Sequence, residues 1–475
     1  MRPQLAALML LTTAAPAFGA EVTGYVESRT LYQRSRVSGL LPTDSQPELQ
    51  QLLELNVQPR QEYRPGGFVS ADLSLFLQAS GRYRGLNADG NEVSVSEKEA
   101  SAAKPLFSLN ELYLSHEVVP QLHLLAGKKR VIWGAGMAYN PTDLINPAKD
   151  PTDPNFQRAG AYMVRVEVPL EKYAFTLLAS PAVLEQQNGL PQAVLAYPKW
   201  DRKDEALHYV VAARAYALVA DADLNLMLFH SNLYGDGFED KTRLGFSFSR
   251  YFFTDYELHV EGLVGFGSAR RYPAGECLED RASAVGCVLK GEAFFSNKRL
   301  DEQKLRPRIL AGTRYMFGDE SLLSVEYLYQ ADGLKRDEFQ HYVNALSLFR
   351  VAQSFGLDPS VVDPRGSADT GLPQKFSFEP LGRHYAFVSY QKPKIRDDFT
   401  FNVVVMANLQ DLSGLVTPSL SWSATEWMTL TLSGFVPWQG PKSLAATVPE
   451  STTQVSELSL LPLEYRGLFQ VRFFY

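Results

Sequence analysis

The sequence predicts an all-β fold, a transmembrane antiparallel β-barrel of about eighteen strands. Three observations support it. Short segments alternate between apolar and polar residues with the period of two that a strand requires. Every second connection between these segments is short, whereas nearly all the others are long. The last segment places Phe469, Val471, Phe473 and Tyr475 on one face, as in a strand that turns an apolar side to lipid.

The first residues resemble a secretory signal peptide. Arg2 precedes an apolar run from residue 5 to 11, and Ala17-Phe18-Gly19 provides a cleavage site. We therefore assign residues 1–19 to the signal peptide and residues 20–475 to one outer-membrane barrel domain. The apolar run is shorter than the ~18 residues of a membrane-spanning helix, and no later segment reaches that length without a charge.

Alternation and turn residues place the strands along the chain. They are expected at residues 21–33, 49–60, 66–83, 106–118, 120–129, 159–168, 172–180, 205–218, 221–230, 240–250, 255–268, 304–317, 320–330, 380–391, 396–407, 412–423, 425–437 and 463–475. The short connections lie near residues 65, 120, 170, 220, 254, 318, 393 and 425. Outer-membrane barrels have short periplasmic turns and long extracellular loops, so both termini should be periplasmic. A soluble β-sandwich has no reason to show this alternation.

The apolar faces indicate a bacterial outer-membrane location. Leu244, Phe246 and Phe248 share one face, and Phe399, Phe401, Val403 and Val405 another, while aromatic residues gather near strand ends. Lipid is therefore one expected partner. The barrel-assembly machinery, acting through the C-terminal strand, is another.

Composition and charge narrow the possible functions. The chain has 12% aromatic residues and a formal net charge of −7, which argues against a nucleic-acid binder. Cys277 and Cys287 lie in one polar stretch, where a local disulfide is expected in an oxidising compartment. No histidine lies nearby, so no metal site is predicted there, and we expect no cofactor.

Basic residues on the faces opposite the apolar ones are candidates to line a pore. They are Arg165, His208, Arg214, Lys241, Arg243, Arg308, Arg314 and Arg472. Such a track would favour anionic solutes. By the same parity, Glu54, Asp72, Glu257, Glu261 and Glu326 also point inward, so mutual ion pairing is an equally good interpretation.

Residues 127–154 carry the densest local pattern. Gly134 and Gly136, beside Trp133, permit tight backbone curvature, whereas the prolines that follow stiffen the chain and the Asn and Asp residues can cap turns. A loop folded inward as a constriction would use these properties, with Arg130, Trp133, Asn140, Asp143 and Asn146 as its candidate residues. A rigid surface loop is the alternative. Asp143, Asp150 and Asp153 do not have the EF-hand spacing.

This pattern resembles a motif of large outer-membrane barrels related to the alginate-export and capsule-assembly porins. It is carried by Gly127, Lys128, Arg130, Trp133, Gly134, Gly136, Asn140, Pro141, Asp143, Asn146 and Pro147. The resemblance implies transport of a hydrophilic substrate, a polysaccharide, in exopolysaccharide export. It also implies periplasmic export components as partners.

The sequence gives no sign of an enzyme or of an energy-transducing site. Neither HExxH nor GxSxG occurs, the seven histidines are scattered, and the chain has no GxxxxGK[ST] loop. Three functions remain: polysaccharide export, a general small-solute porin, and a barrel that binds or assembles a surface polysaccharide.

Overall fold

A computed structural model of the protein describes most of the barrel domain. The described residues are 20–34, 46–86, 92–95, 104–146, 160–181, 209–234, 239–268, 270, 272–290, 292, 294–296, 298–299, 301–354, 380–445, 454–461 and 463–475. The predicted signal peptide, His208 and Pro147 lie outside these ranges.

Eighteen antiparallel strands form the wall of a closed barrel, as predicted. They are β1 Glu21–Arg34, β2 Gln46–Arg64, β3 Gly67–Leu86, β4 Lys104–Val119, β5 Leu122–Lys129, β6 Ala161–Pro169, β7 Tyr173–Pro181, β8 Tyr209–Val219, β9 Ala222–Tyr234, β10 Glu239–Phe252, β11 Tyr256–Gly265, β12 Arg308–Met316, β13 Leu322–Gln330, β14 His384–Ile395, β15 Phe399–Asn408, β16 Gly414–Thr425, β17 Met428–Trp438 and β18 Tyr465–Phe474. Each strand pairs with its sequence neighbours, and β18 pairs with β1, which leaves no open edge in the wall. One further short strand, Glu92–Val95, pairs antiparallel with the last residues of β3.

The period of two separates a lipid face from a lumen face. On β10, Leu244 and Phe246 are 50% and 40% exposed, whereas Ser247 between the outward positions is buried. On β18, Phe469 and Phe473 point outward in the same way, and Gln470 is buried. Exposed large apolar side chains surround the barrel, as membrane insertion requires. The chain is therefore an integral barrel of the outer-membrane type.

A folded cap covers the long-loop end of the barrel, where the sequence predicted only loops. It contains the helices α1 Gly275–Leu278, α2 Arg281–Lys290 and α3 Arg336–Ser354 and two short strand pairs. Phe339, Tyr342, Val343 and Leu346 lie on one side of α3, at helical spacing, and are buried in the cap core. None of the helices in the described ranges is long and apolar enough to cross a membrane.

Glu457 attaches the cap to the barrel. Its carboxylate accepts hydrogen bonds from the Tyr385 hydroxyl at 2.6 and 2.7 Å, from Asn408 Nδ2 at 2.5 Å and from the backbone N–H groups of Leu381 and Gly382. Burial raises the pKa of the Glu457 carboxyl, although these donors oppose the shift. The buried carboxyl thus has hydrogen-bond partners from two barrel strands and one loop.

Candidate functional site

The candidate site is the segment 130–146, which leaves β5 and enters the barrel. It has no regular secondary structure, so its backbone N–H groups need partners other than a ladder. At its start, Arg130 donates to Glu111 from Nε and to Asp72 from Nη2, both at 2.9 Å. These two carboxylates lie on β4 and β3, so the segment begins with a charged contact to the wall.

Glu261, at the middle of β11, accepts hydrogen bonds from three residues of the segment. Its Oε2 accepts from the N–H groups of Ala135 at 2.9 Å and Gly136 at 3.1 Å. Its Oε1 accepts from the Thr142 N–H at 2.8 Å and the Thr142 hydroxyl at 2.6 Å. One buried carboxylate therefore satisfies four donors of the segment, and these bonds to a charged acceptor are of the stronger kind.

Glu326, on β13, binds the next residues of the segment. Its two oxygens accept from the N–H groups of Met137 at 2.6 Å and Ala138 at 3.2 Å. His259 Nε2 lies 3.2 Å from the same carboxylate, and its Nδ1 lies 3.6 Å from Glu257. The segment is thus held by two strands that are separated in the wall by β12.

Gly134 permits the close approach to Glu261. Its φ is +92°, a backbone conformation that side chains other than hydrogen rarely tolerate, and a Cβ there would overlap the Glu261 carboxylate. Both requirements explain a glycine at this position.

Apolar contacts fix the rest of the segment. Val131 and Trp133 pack among buried residues of β5 to β11, with the Trp133 and Phe229 rings 5.9 Å apart. Tyr139 lies against Tyr385 on β14, with ring centroids 5.8 Å apart, and contacts a cluster that extends to β17. The segment therefore lies across the lumen side of a large part of the wall.

Polar side chains close the segment on itself. Asn146 accepts from the Val131 N–H at 3.0 Å and donates to the Asp143 carboxylate at 2.7 Å. Asn140 donates to the Gly136 carbonyl at 2.6 Å. These contacts join residues at the two ends and within the turn, so the segment forms a compact unit.

A second polar region lines the lumen on β18, β1 and β2. Arg29 donates to Glu54 at 2.9 Å and also pairs with Glu27, and Arg472 Nε donates to Glu27 at 2.6 Å. The side chains of Arg29 and Arg472 are 18% and 20% exposed, whereas the two carboxylates are buried. Ordered ion pairs therefore present guanidinium edges to the lumen.

The predicted pore-lining residues are largely paired, as the second sequence interpretation expected. Arg165 lies 3.2 Å from Glu167, Arg214 donates to Asn225 at 2.7 Å, Lys241 lies 3.5 Å from Asp301, Arg308 lies 2.6 Å from Asp332, and Arg314 lies 3.1 Å from Glu257. Burial alone would raise the pKa of Asp332, but Arg308, Arg270 and Arg243 outweigh it and hold that pKa well below its usual range. Cation and acid thus alternate along the lumen.

Arg314 also joins the wall to the segment, because its Nη2 donates to the Ala135 carbonyl at 2.9 Å. A polar cavity of about 330 Å³ opens beside this contact and is lined by Gly134, Asn225, Ser247, Ser249 and Glu257 among others. It lies on the side of the segment towards the short turns between the strands.

Cys277 and Cys287 form a disulfide in the cap, far along the chain from the segment. Both sulfur-bearing residues are buried in the cap core.

Sequence reasoning placed Glu261 and Glu326 in the lumen but assigned them no contact with the segment. One available signal is their register: the residues opposite them on β12 are Leu310 and Gly312, which provide no cation. An inward carboxylate without a cross-strand cation needs donors from elsewhere.

Comparisons with known proteins identify the fold. No protein-family model and no curated protein sequence matches the chain. A BenF-like porin from Pseudomonas fluorescens Pf-5 is similar in structure, with a TM-score of 0.52 and 6% identity over 96% of this chain and 98% of that one. Acinetobacter baumannii OccAB1 has a TM-score of 0.48 and 9% identity over 95% and 96%, and Pseudomonas aeruginosa OccK5 has 0.45 and 8% over 96% and 98%. The similarity to the BenF-like porin does not support the predicted resemblance to alginate-export and capsule-assembly barrels.

Proposed function

We propose that the protein is an outer-membrane porin that passes small hydrophilic solutes through a lumen narrowed by the segment 130–146. The observation that carries this proposal is the binding of the segment by Glu261 and Glu326 inside the barrel. A loop that only covered the surface would have no need of two buried carboxylates from the middle of the wall. The porin-like fold supports a channel rather than an enzyme.

Polysaccharide export, the first expectation from the sequence, has weaker support. A wide path is what a polymer chain needs, whereas the segment and the cap occupy space inside and above the lumen. The predicted periplasmic export partners depend on that function. Insertion by the barrel-assembly machinery through β18 is independent of it and stays a prediction.

The ion pairs also bear on the proposed selectivity. Most of the predicted lumen cations have a carboxylate or amide partner, so the lumen offers alternating charges rather than a positive track. We therefore expect weak preference between small anions and cations of equal size, with hydration and size deciding passage.

Liposome swelling and planar-bilayer conductance test the proposal. Purified mature protein should conduct ions and admit small sugars and amino acids, with rates that fall steeply as oligosaccharides lengthen. If long acidic polysaccharide fragments passed at rates similar to those of small sugars, polysaccharide export would be the better-supported function. A barrel with neither conductance nor swelling would contradict any channel function.

A further inference from the structure

A cavity of about 730 Å³ lies at the long-loop end of β12 and β13. Tyr329 lines it, and strand alternation places Tyr329 outward because its neighbours Leu328 and Gln330 are buried on the lumen side. Leu305, which is 55% exposed, lines the cavity as well. The lower part of the cavity is therefore continuous with the apolar surface that faces lipid.

The upper part of the cavity is strongly basic. Its lining contains five cationic residues and one acidic residue, Glu302: the cations are Arg299, Lys304, Arg306, Lys335 and Arg383. Arg306 pairs with Glu302, and Arg299 pairs with Glu338 of α3. Among the described residues, no carboxylate lies within salt-bridge distance of the Lys304 or Lys335 ammonium group or the Arg383 guanidinium group. The positive charge of these three residues is thus uncompensated by the part of the chain that the structure describes.

We propose that this cavity binds a phosphate-bearing lipid of the outer leaflet. The phosphate contacts Lys304, Lys335 and Arg383, and an acyl chain follows Tyr329 and Leu305 along the barrel. Arginine and lysine are well suited to phosphate oxygens, and clustered cations at the membrane surface recognise anionic headgroups. The outward position of Tyr329 and the exposure of Leu305 favour a ligand from the membrane over a solute in transit. A free anion would leave the apolar part of the cavity unused.

Native mass spectrometry of the purified barrel in neutral detergent tests this proposal. The probe is diphosphorylated lipid A, compared with the same lipid after removal of its phosphates. The variant K304Q/K335Q/R383Q should bind the phosphorylated probe about tenfold to a hundredfold more weakly, because each surface cation contributes roughly a factor of five. The matched control is K172Q/K394Q/R396Q, which removes three cations at periplasmic turns and should bind like the unmodified protein.

Arg383 Nε also donates to the Gly333 carbonyl at 2.9 Å, so its replacement could loosen the cap. The double variant K304Q/K335Q keeps the Arg383–Gly333 hydrogen bond, and it should still weaken binding severalfold. Equal binding of the dephosphorylated lipid, or equal loss in the control, would overturn the proposal. Displacement of the probe by an equal concentration of inorganic phosphate would assign the cavity to a free anion and would also overturn it.

Discussion

Replacing Glu261 with Gln should release the segment 130–146 while leaving the barrel folded. The substitution keeps the size of the side chain but changes one carboxylate oxygen into an NH₂ donor. That group then faces two further donors, either the N–H pair of Ala135 and Gly136 or the N–H and hydroxyl of Thr142. Two of the four hydrogen bonds are lost in either orientation.

The size of the effect follows from those bonds. Hydrogen bonds to a charged acceptor are worth roughly 1.5–3 kcal/mol each, so losing two costs about 3–6 kcal/mol. Water in the lumen can solvate the released N–H groups, which favours the lower end of that range. About 3 kcal/mol corresponds to roughly a hundredfold shift of the equilibrium from the bound to the released segment.

Single-channel recording in planar bilayers measures this shift. The variant E261Q should visit states of higher conductance far more often than the unmodified protein, because the released segment no longer narrows the lumen. Its thermal unfolding should change little, since the strand ladder of the wall is untouched. E167Q is the matched control: Glu167 is also an inward acid on a strand, but its ion-pair partner is Arg165. Identical dwell times in E261Q and E167Q would refute the role assigned to Glu261.

Three further outcomes are expected. Replacing Arg314 with Ser leaves the buried Glu257 carboxylate without its cation. The reversal potential in a KCl gradient should therefore shift towards cation selectivity. An unchanged reversal potential would contradict the pairing. Because the pKa of Asp332 is depressed, its ion pairs stabilise the fold above the usual aspartate pKa and are lost only as the pH falls through the depressed value. The variant D332N should therefore have a lower melting temperature than the unmodified protein at pH 7. At the most acidic pH the two melting temperatures should be equal. Removing the disulfide with C277S/C287S should lower the free energy of unfolding of the cap by about 2–3 kcal/mol. Proteolysis of the cap should then be faster while the barrel stays intact. Equal proteolysis rates would show that the cap core is stable without the disulfide.

The strand pattern of the wall was predictable because it is local. Each strand carries its own alternation, and each turn or loop length is visible in the chain, so the positions of eighteen strands and the outward face of β18 follow without tertiary information. The pairing of charges cannot be predicted from this local pattern, because it depends on the register between strands. Arg472 lies directly opposite Glu27 only once β18 is known to pair with β1 in the observed register. A prediction based only on which residues face inward finds a row of cations but does not identify the carboxylates that pair with them.

The cap and the segment were harder to predict for different reasons. The spacing of Phe339, Tyr342, Val343 and Leu346 is helical and could have identified α3 within a long connection. The contacts of Glu261 leave no such sign, because its donors are mostly backbone N–H groups, which every residue except proline carries. The observed register shows that Glu261 and Glu326 have no cation opposite them on β12, but only the path of the chain shows which groups donate to them.

Two anchors on different strands give the segment both a position and an orientation. Glu261 alone would leave it free to pivot, whereas Glu326, two strands along the wall, also binds Met137 and Ala138. Trp133 and Tyr139 then pack on opposite sides of this pair of anchors. A segment held in this way behaves as a fixed rim, so a solute that passes it must fit the remaining space and exchange its water for fixed polar groups. Selection by size and hydration follows from that arrangement more directly than selection by net charge.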